Sequence, residues 1–216
     1  MSLFDIIRFG IKIMEGLACI TGFLCWARLY PRFWKAFPVY LLIITGCEFA
    51  GWYMRIHNIP SGAMYDYFVV PFEFLFMYFL YLKNLPKHFR KTVIVLSSVY
   101  MASLVWELFF SNYIKPGWPS VSYTAGNIII LILGIIYFLQ LLGSDKLLAY
   151  KKQVFYWVNL GLMLFYVGTF PFYATLNTLY KDAPGLYEIL YWMSMVLNYI
   201  MYGLFIIGFL CSPKQK

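Results

Sequence analysis

Five glutamates, Glu15, Glu48, Glu73, Glu107 and Glu188, lie inside strongly hydrophobic stretches of this 216-residue chain, and no glutamate lies in a polar connector. Arg8, Lys12 and Arg55 occupy two of the same stretches. A charge in an apolar medium is costly unless it meets an opposite charge, a hydrogen-bond donor or water. Two kinds of chemistry fit such residues. One is a polar pocket or pore that holds a ligand or ion, with the basic groups facing the carboxylates. The other is an internal network of ion pairs and hydrogen bonds that fixes helix register and never meets a ligand.

Helical spacing extends the pattern. Arg8, Lys12, Glu15, Cys19 and Gly22 form one stripe, and Thr45, Glu48, Trp52 and Arg55 form another. Asp66 aligns with Glu73, and Tyr100 and Ser103 align with Glu107. The longest stripe runs Tyr187, Tyr191, Ser194, Asn198, Tyr202, with Glu188 beside its start. Asn127 and Asn159 add amides to two further stretches. The candidate ligand or ion pocket is therefore Arg8, Lys12, Glu15, Glu48, Arg55, Glu73, Glu107, Asn127, Asn159, Glu188 and Asn198. Pro71 and Pro171 interrupt helical hydrogen bonding and leave carbonyls able to bind a side chain, water or ligand.

The chemistry that is missing narrows the reading to a non-enzymatic protein. No HExxH, Walker or GxGxxG pattern is present. The two histidines are His57, at the end of a hydrophobic stretch, and His88, in a basic connector, so neither a metal cluster nor a histidine-based protease is expected. The four cysteines form neither a disulfide framework nor a CxxC pair. The last hydrophobic stretch has no lysine to carry a retinal Schiff base. Paired carboxylates without a nucleophile or oxyanion donor do not make a hydrolase. No cofactor is expected.

The elements that must position these groups follow from composition. The chain is 62% hydrophobic and 12% charged, with a mean hydropathy of +0.72, whereas soluble domains carry roughly 25% charged residues. It reads as one integral membrane domain, residues 1–216. Requiring about 20 mainly apolar residues per span predicts helices over 4–27, 36–56, 64–83, 91–111, 120–142, 153–176 and 185–211. The fold expected is an all-α, polytopic transmembrane bundle of seven helices, or six if the first segment lies in the interface. Arg8, Lys12 and Glu15 interrupt any signal-peptide core, so the first segment is expected to be retained.

Charge placement sets the expected orientation. Arg28, Arg32, Lys35, Lys83, Lys87, Arg90, Lys91, Lys146, Lys151, Lys152, Lys214 and Lys216 fall on one side. Arg8, Arg55, Lys115 and Lys181 fall on the other, so the C-terminus is expected in the cytoplasm and the N-terminus outside. The net charge of +8 thus reflects orientation, not nucleic-acid binding. Trp26, Tyr30, Trp34, Tyr65, Tyr67, Trp118, Tyr156 and Trp157, near span ends, read as interfacial anchors. Gly46 with Ala50, and Cys47 with Gly51, suggest a close helix contact.

The segments FYWVNLGLMLFYVGTFPF (Phe155–Phe172), LNYIMYGLFIIGFLC (Leu197–Cys211) and PFEFLFMYFLYLK (Pro71–Lys83) resemble those of small seven-helix membrane proteins common in Bacteroidota. The resemblance implies a bacterial inner membrane and a helical bundle, is compatible with the membrane proteins that accompany bacterial immune systems, and carries over no functional residue. The expected function is a sensing or accessory membrane module that binds through its outer polar half. A cytoplasmic partner protein would dock at Lys83, Lys87, Arg90 and Lys91. The alternatives are an oligomeric channel acting as a depolarising defence effector, and a small-solute transporter.

Overall fold

Seven long helices account for most of the residues that this computed structural model describes, which are 3–110, 120–143 and 153–212. They are α1 (Leu3–Leu24), α2 (Ala36–Ile56), α3 (Gly62–Asn84), α4 (Arg90–Phe110), α5 (Ser120–Leu142), α6 (Val154–Asp182) and α7 (Pro184–Leu210). No strand occurs among the described residues. Six helices, α2 to α7, are long and apolar enough to cross a membrane. The chain is therefore a helical membrane protein. The expected connectors around Pro116, Gly117 and Pro119 and around Ser144 and Asp145, the anchor Trp118, and the orienting Lys115, Lys146, Lys151, Lys152, Lys214 and Lys216 lie outside the described residues.

The sixth span runs past its expected end at 176 to Asp182, with Pro171 inside the helix. The turn expected at Pro184-Gly185 shrinks to the single residue Ala183, because Pro184 opens α7 and Tyr187 N–H donates back to the Ala183 carbonyl. Proline suits a first helical position, where its missing N–H has no intrahelical partner to lose.

The chain groups into two compact units. The first comprises Met1–Gly62, Gln140–Phe165 and Met195–Lys216. Within it, α1 and α2 form an antiparallel hairpin in which Phe9 meets Trp52 and Lys12 meets Glu48, while Cys19 and Gly22 meet Pro38. Numbers fall along α2 as they rise along α1. Helix α1 is inside-out: Lys12, Glu15, Ala18, Cys19 and Gly22 are buried, and Ile13, Leu17, Ile20 and Leu24 are exposed. The Tyr199 hydroxyl donates to the Ile7 carbonyl at 2.8 Å, against Gly10, where any Cβ would sit 2.0 Å from that oxygen. Helix α2 ends in a Schellman motif: Asn58 takes a left-handed φ of 54°, Ile59 N–H donates to Met54 and Asn58 N–H to Arg55. Aromatic packing of Phe37 against Trp34, Phe205 and Phe209 makes the apolar core.

Two expectations fail in this unit. Trp34 is 3% exposed and packs on Phe155, so it is a core residue and not an interfacial anchor. A methyl group on Gly46 would meet nothing within 4 Å, and Ala50 is exposed, so that small-residue pair makes no close contact; the tight approaches fall at Gly10, Gly22, Gly161 and Gly208.

The second unit comprises Ala63–Leu139 and Tyr166–Ser194. Helices α3 and α4 form its hairpin, turned at Leu85 and Pro86. Pro71 shapes the start of α3. A proline lacks an N–H and its ring clashes with the carbonyl four residues back. The helix meets this by widening to a π-turn over Tyr65–Val69, closed by the Val70 N–H on the Tyr65 carbonyl. The core centres on Phe74, whose ring packs against Tyr100, Tyr123 and Tyr166. Gly126 admits that ring: a Cβ there would lie 2.6 Å from it.

Candidate functional site

Glu15 with Glu48, and Asp66 with Glu73 and Glu107, form two clusters of different make-up, one in each unit. In the first unit, Lys12 reaches across from α1 to α2. Its Nζ lies 2.5 Å from Glu48 Oε2 and donates at 2.8 Å to the Glu48 carbonyl oxygen. One turn along, Thr45 Oγ1 donates to Glu15 Oε1 at 3.4 Å, and two turns along Cys19 Sγ–H points to the Pro38 carbonyl at 3.7 Å. The antiparallel register makes these contacts: stripe residues three or four apart on α1 meet residues three or four apart on α2. The arrangement neutralises charge and pins register.

In the second unit, Glu73 stands on the first turn of α3 after the π-turn. Its carboxylate lies within electrostatic range of the hydroxyls of Tyr100 on α4, Tyr123 on α5, and Tyr166 and Tyr173 on α6. Tyr123 and Tyr173 share a hydrogen bond, with ring centroids 4.5 Å apart. The Tyr100 ring is fully buried, and its hydroxyl has no hydrogen-bond partner among the described residues. Asp66, inside the π-turn, keeps a buried Oδ1 that likewise lacks a partner there. Asn127, fully buried one turn beyond Tyr123 on α5, has neither amide atom partnered among the described residues. The interiors of the unit's described helices contain no lysine, arginine or histidine.

Glu107 lies near both Asp66 and Tyr100 and has a task of its own. Its carboxylate accepts from the backbone N–H of Ser122 at 2.8 Å and of Val121 at 3.2 Å. These are N–H groups of the first turn of α5, which no helical carbonyl can reach, so a carboxylate there satisfies donors and complements the helix dipole.

The remaining sequence candidates scatter. Arg8 is half-buried on the α1 stripe, whereas Arg55 and Glu188 are exposed. Asn159 is fully buried and Asn198 half-buried, both in the first unit. The eleven candidates are divided between the two units. Sequence reading passed over Tyr123, Tyr166 and Tyr173. Their signal was present as hydroxyl-bearing aromatics at helical spacing, Tyr123 with Asn127 and Tyr166 with Tyr173, but it was submerged among 20 tyrosines. Among the described residues no group of three or more histidine, cysteine or acidic side chains could hold a metal ion, and no disulfide joins any of the four cysteines. No family model, curated protein or solved structure matches the chain.

Proposed function

We propose that this protein is a non-enzymatic binding module of a bacterial inner membrane, a sensor or accessory subunit, whose ligand site is the Glu73 cluster of the second unit. The observation that carries the reading is Tyr100: a fully buried hydroxyl, without a partner among the described residues, beside a carboxylate ringed by tyrosines. A buried polar group left unsatisfied costs about 1–3 kcal/mol, which a bound ligand would relieve.

Seven spans, N-terminus outside and C-terminus in the cytoplasm complete the proposal. The inside-out α1 supports a seventh span, because its apolar residues face outward as lipid requires while its charges face protein. The basic turn of Lys83, Lys87, Arg90 and Lys91, all exposed, then marks the cytoplasmic end of the α3–α4 hairpin. Asp66 and Glu107 stand toward the other end and Glu73 at the middle of α3, so the site opens outward and the basic turn is where a cytoplasmic partner would dock.

Access tests this reading. With the native cysteines replaced, a cysteine at position 73 should react with a small water-soluble thiosulfonate added outside, and a cysteine at position 48 should not. Absence of labelling at 73 in a folded protein would remove the site. The absence of basic residues from the second unit's helix interiors favours one rival, an oligomeric cation channel of a defence system or a cation transporter. It predicts ion flux in proteoliposomes that falls in Glu73→Gln.

A further inference from the structure

Positive charge gathers on the turn between α3 and α4. Lys83, Lys87, Arg90 and Lys91 stand within nine residues, all exposed, and no acidic residue occurs between Glu73 and Glu107. Among the described residues none of the four meets a carboxylate. Backbone bonds fix the turn: buried Leu85 donates its N–H to the Tyr81 carbonyl at 2.9 Å, Phe89 N–H donates to the Pro86 carbonyl at 3.0 Å, and Arg90 N–H to that of Lys87. Like charges held on one short turn repel, and an anion placed among them relieves the repulsion. The surface that runs on from these charges is apolar. Lys83 stands in the last turn of the α3 span, its Nζ 5.6 Å from the Phe79 ring centre, and Lys91 in the first turn of α4. Steps of three and four residues from Lys91 reach Ile94, Val95, Ser98 and Ala102, all exposed. The Ser98 hydroxyl donates to the Ile94 carbonyl at 3.0 Å, so it is satisfied within its own helix. Of the six spans, α4 is the least covered by the rest of the protein.

We infer that the α3–α4 turn, with the exposed strip of α4 beside it, is a binding site for an anionic phospholipid. Charges at the level where two spans end, with an apolar strip leading away from them, match an amphiphile whose anion meets the turn and whose chain lies on the strip. A soluble anion or an acidic protein segment would use the charges alone. Arg90 offers the phosphodiester a two-pronged donor, and Lys87 and Lys91 add point charges. The acyl chain lies along Ile94, Val95 and Ala102. A zwitterionic headgroup suits the turn less, because it brings a cation of its own against these. The inference is independent of the Glu73 site, and a cytoplasmic partner docking at this turn would displace the lipid.

The full-length protein in detergent is titrated with phosphatidylglycerol and phosphatidylcholine of equal chain length, and bound lipid is counted by native mass spectrometry. Phosphatidylglycerol should bind at least about tenfold more tightly, at about fivefold per engaged charge. In nanodiscs, hydrogen exchange at the Lys87–Phe89 amides should slow when phosphatidylglycerol replaces part of the phosphatidylcholine. Lys87→Gln with Lys91→Gln should weaken phosphatidylglycerol at least about tenfold, whereas Arg32→Gln with Lys35→Gln, which removes the same charge from another connector, should weaken it less than about twofold. Equal binding of the two lipids, or equal losses in the two double variants, overturns the inference. Soluble glycerol phosphate carries the anion without the chain: if it competes as well as the lipid, the turn is a free-phosphate site and the lipid falls. If an oligoglutamate peptide slows exchange at the Lys87–Phe89 amides and phosphatidylglycerol does not, the turn serves an acidic protein and the lipid falls likewise.

Discussion

Lys12 and Glu48 in the first unit, and Glu73 with its tyrosines in the second, show two ways for a membrane protein to keep a carboxylate away from lipid. In the first, the opposite charge arrives from the adjacent helix of an antiparallel hairpin, at 2.5 Å, with Thr45 and Glu15 repeating the contact one turn away. In the second, tyrosines of three other helices lie within electrostatic range of the acid, and the interiors of the unit's described helices carry no lysine, arginine or histidine. An ion pair closed within a hairpin holds two helices in register and has no further need of a ligand. Tyrosine hydroxyls near a carboxylate supply neutral hydrogen-bonding groups where the hairpin supplies a charge. Similar residues in similar spans therefore sit in different surroundings, and the difference lies in the neighbours that packing delivers.

Substitutions can break this contrast, starting from the largest effect. Lys12→Met should lower stability by about 2 kcal/mol, below the range for a fully buried pair because Glu48 remains partly exposed, and a Lys12→Met, Glu48→Met double variant should recover most of it. Unfolding of the purified variants measures this, and additive losses would show that the pair does not pin the hairpin. Gly126→Ala should cost about 2 kcal/mol by forcing the Phe74 ring from its seat, while Gly46→Ala, with open space around it, should be neutral or stabilise by up to about 1 kcal/mol. Equal shifts in unfolding midpoint for the two alanines would contradict the packing described for the second unit. Glu107→Ala should cost about 1 kcal/mol through the lost cap of α5, with exchange speeding first at the Val121 and Ser122 amides. Glu73→Gln should change stability least, by less than about 0.5 kcal/mol, and affect binding alone. A stability loss as large as that of Lys12→Met would make Glu73 a structural residue and erase the contrast.

Much of this was legible in the chain. The spans expected at 36–56 and 120–142 coincide with α2 and α5, because roughly 20 apolar residues between turn-forming or charged ends admit one structure in lipid. The α1 stripe was legible too, as charges at helical spacing must share a face. Trp34 and Gly46 were misread for a common reason: an aromatic residue near a span end, or a glycine one turn from an alanine, has the same local sequence whether it faces lipid or a neighbouring helix.

The sequence alone determined that this is a helical membrane protein with acids buried in its spans, since hydrophobicity and helical period are properties of a single helix. Which neighbours each acid meets was decided by tertiary structure alone. That outcome depends on the register of α1 against α2, which sets Lys12 on Glu48, and on the approach of α4, α5 and α6 to the start of α3, which sets tyrosines around Glu73. Ion-pair and hydrogen-bond energies fall off within a few ångströms, so they are fixed only once helices have packed.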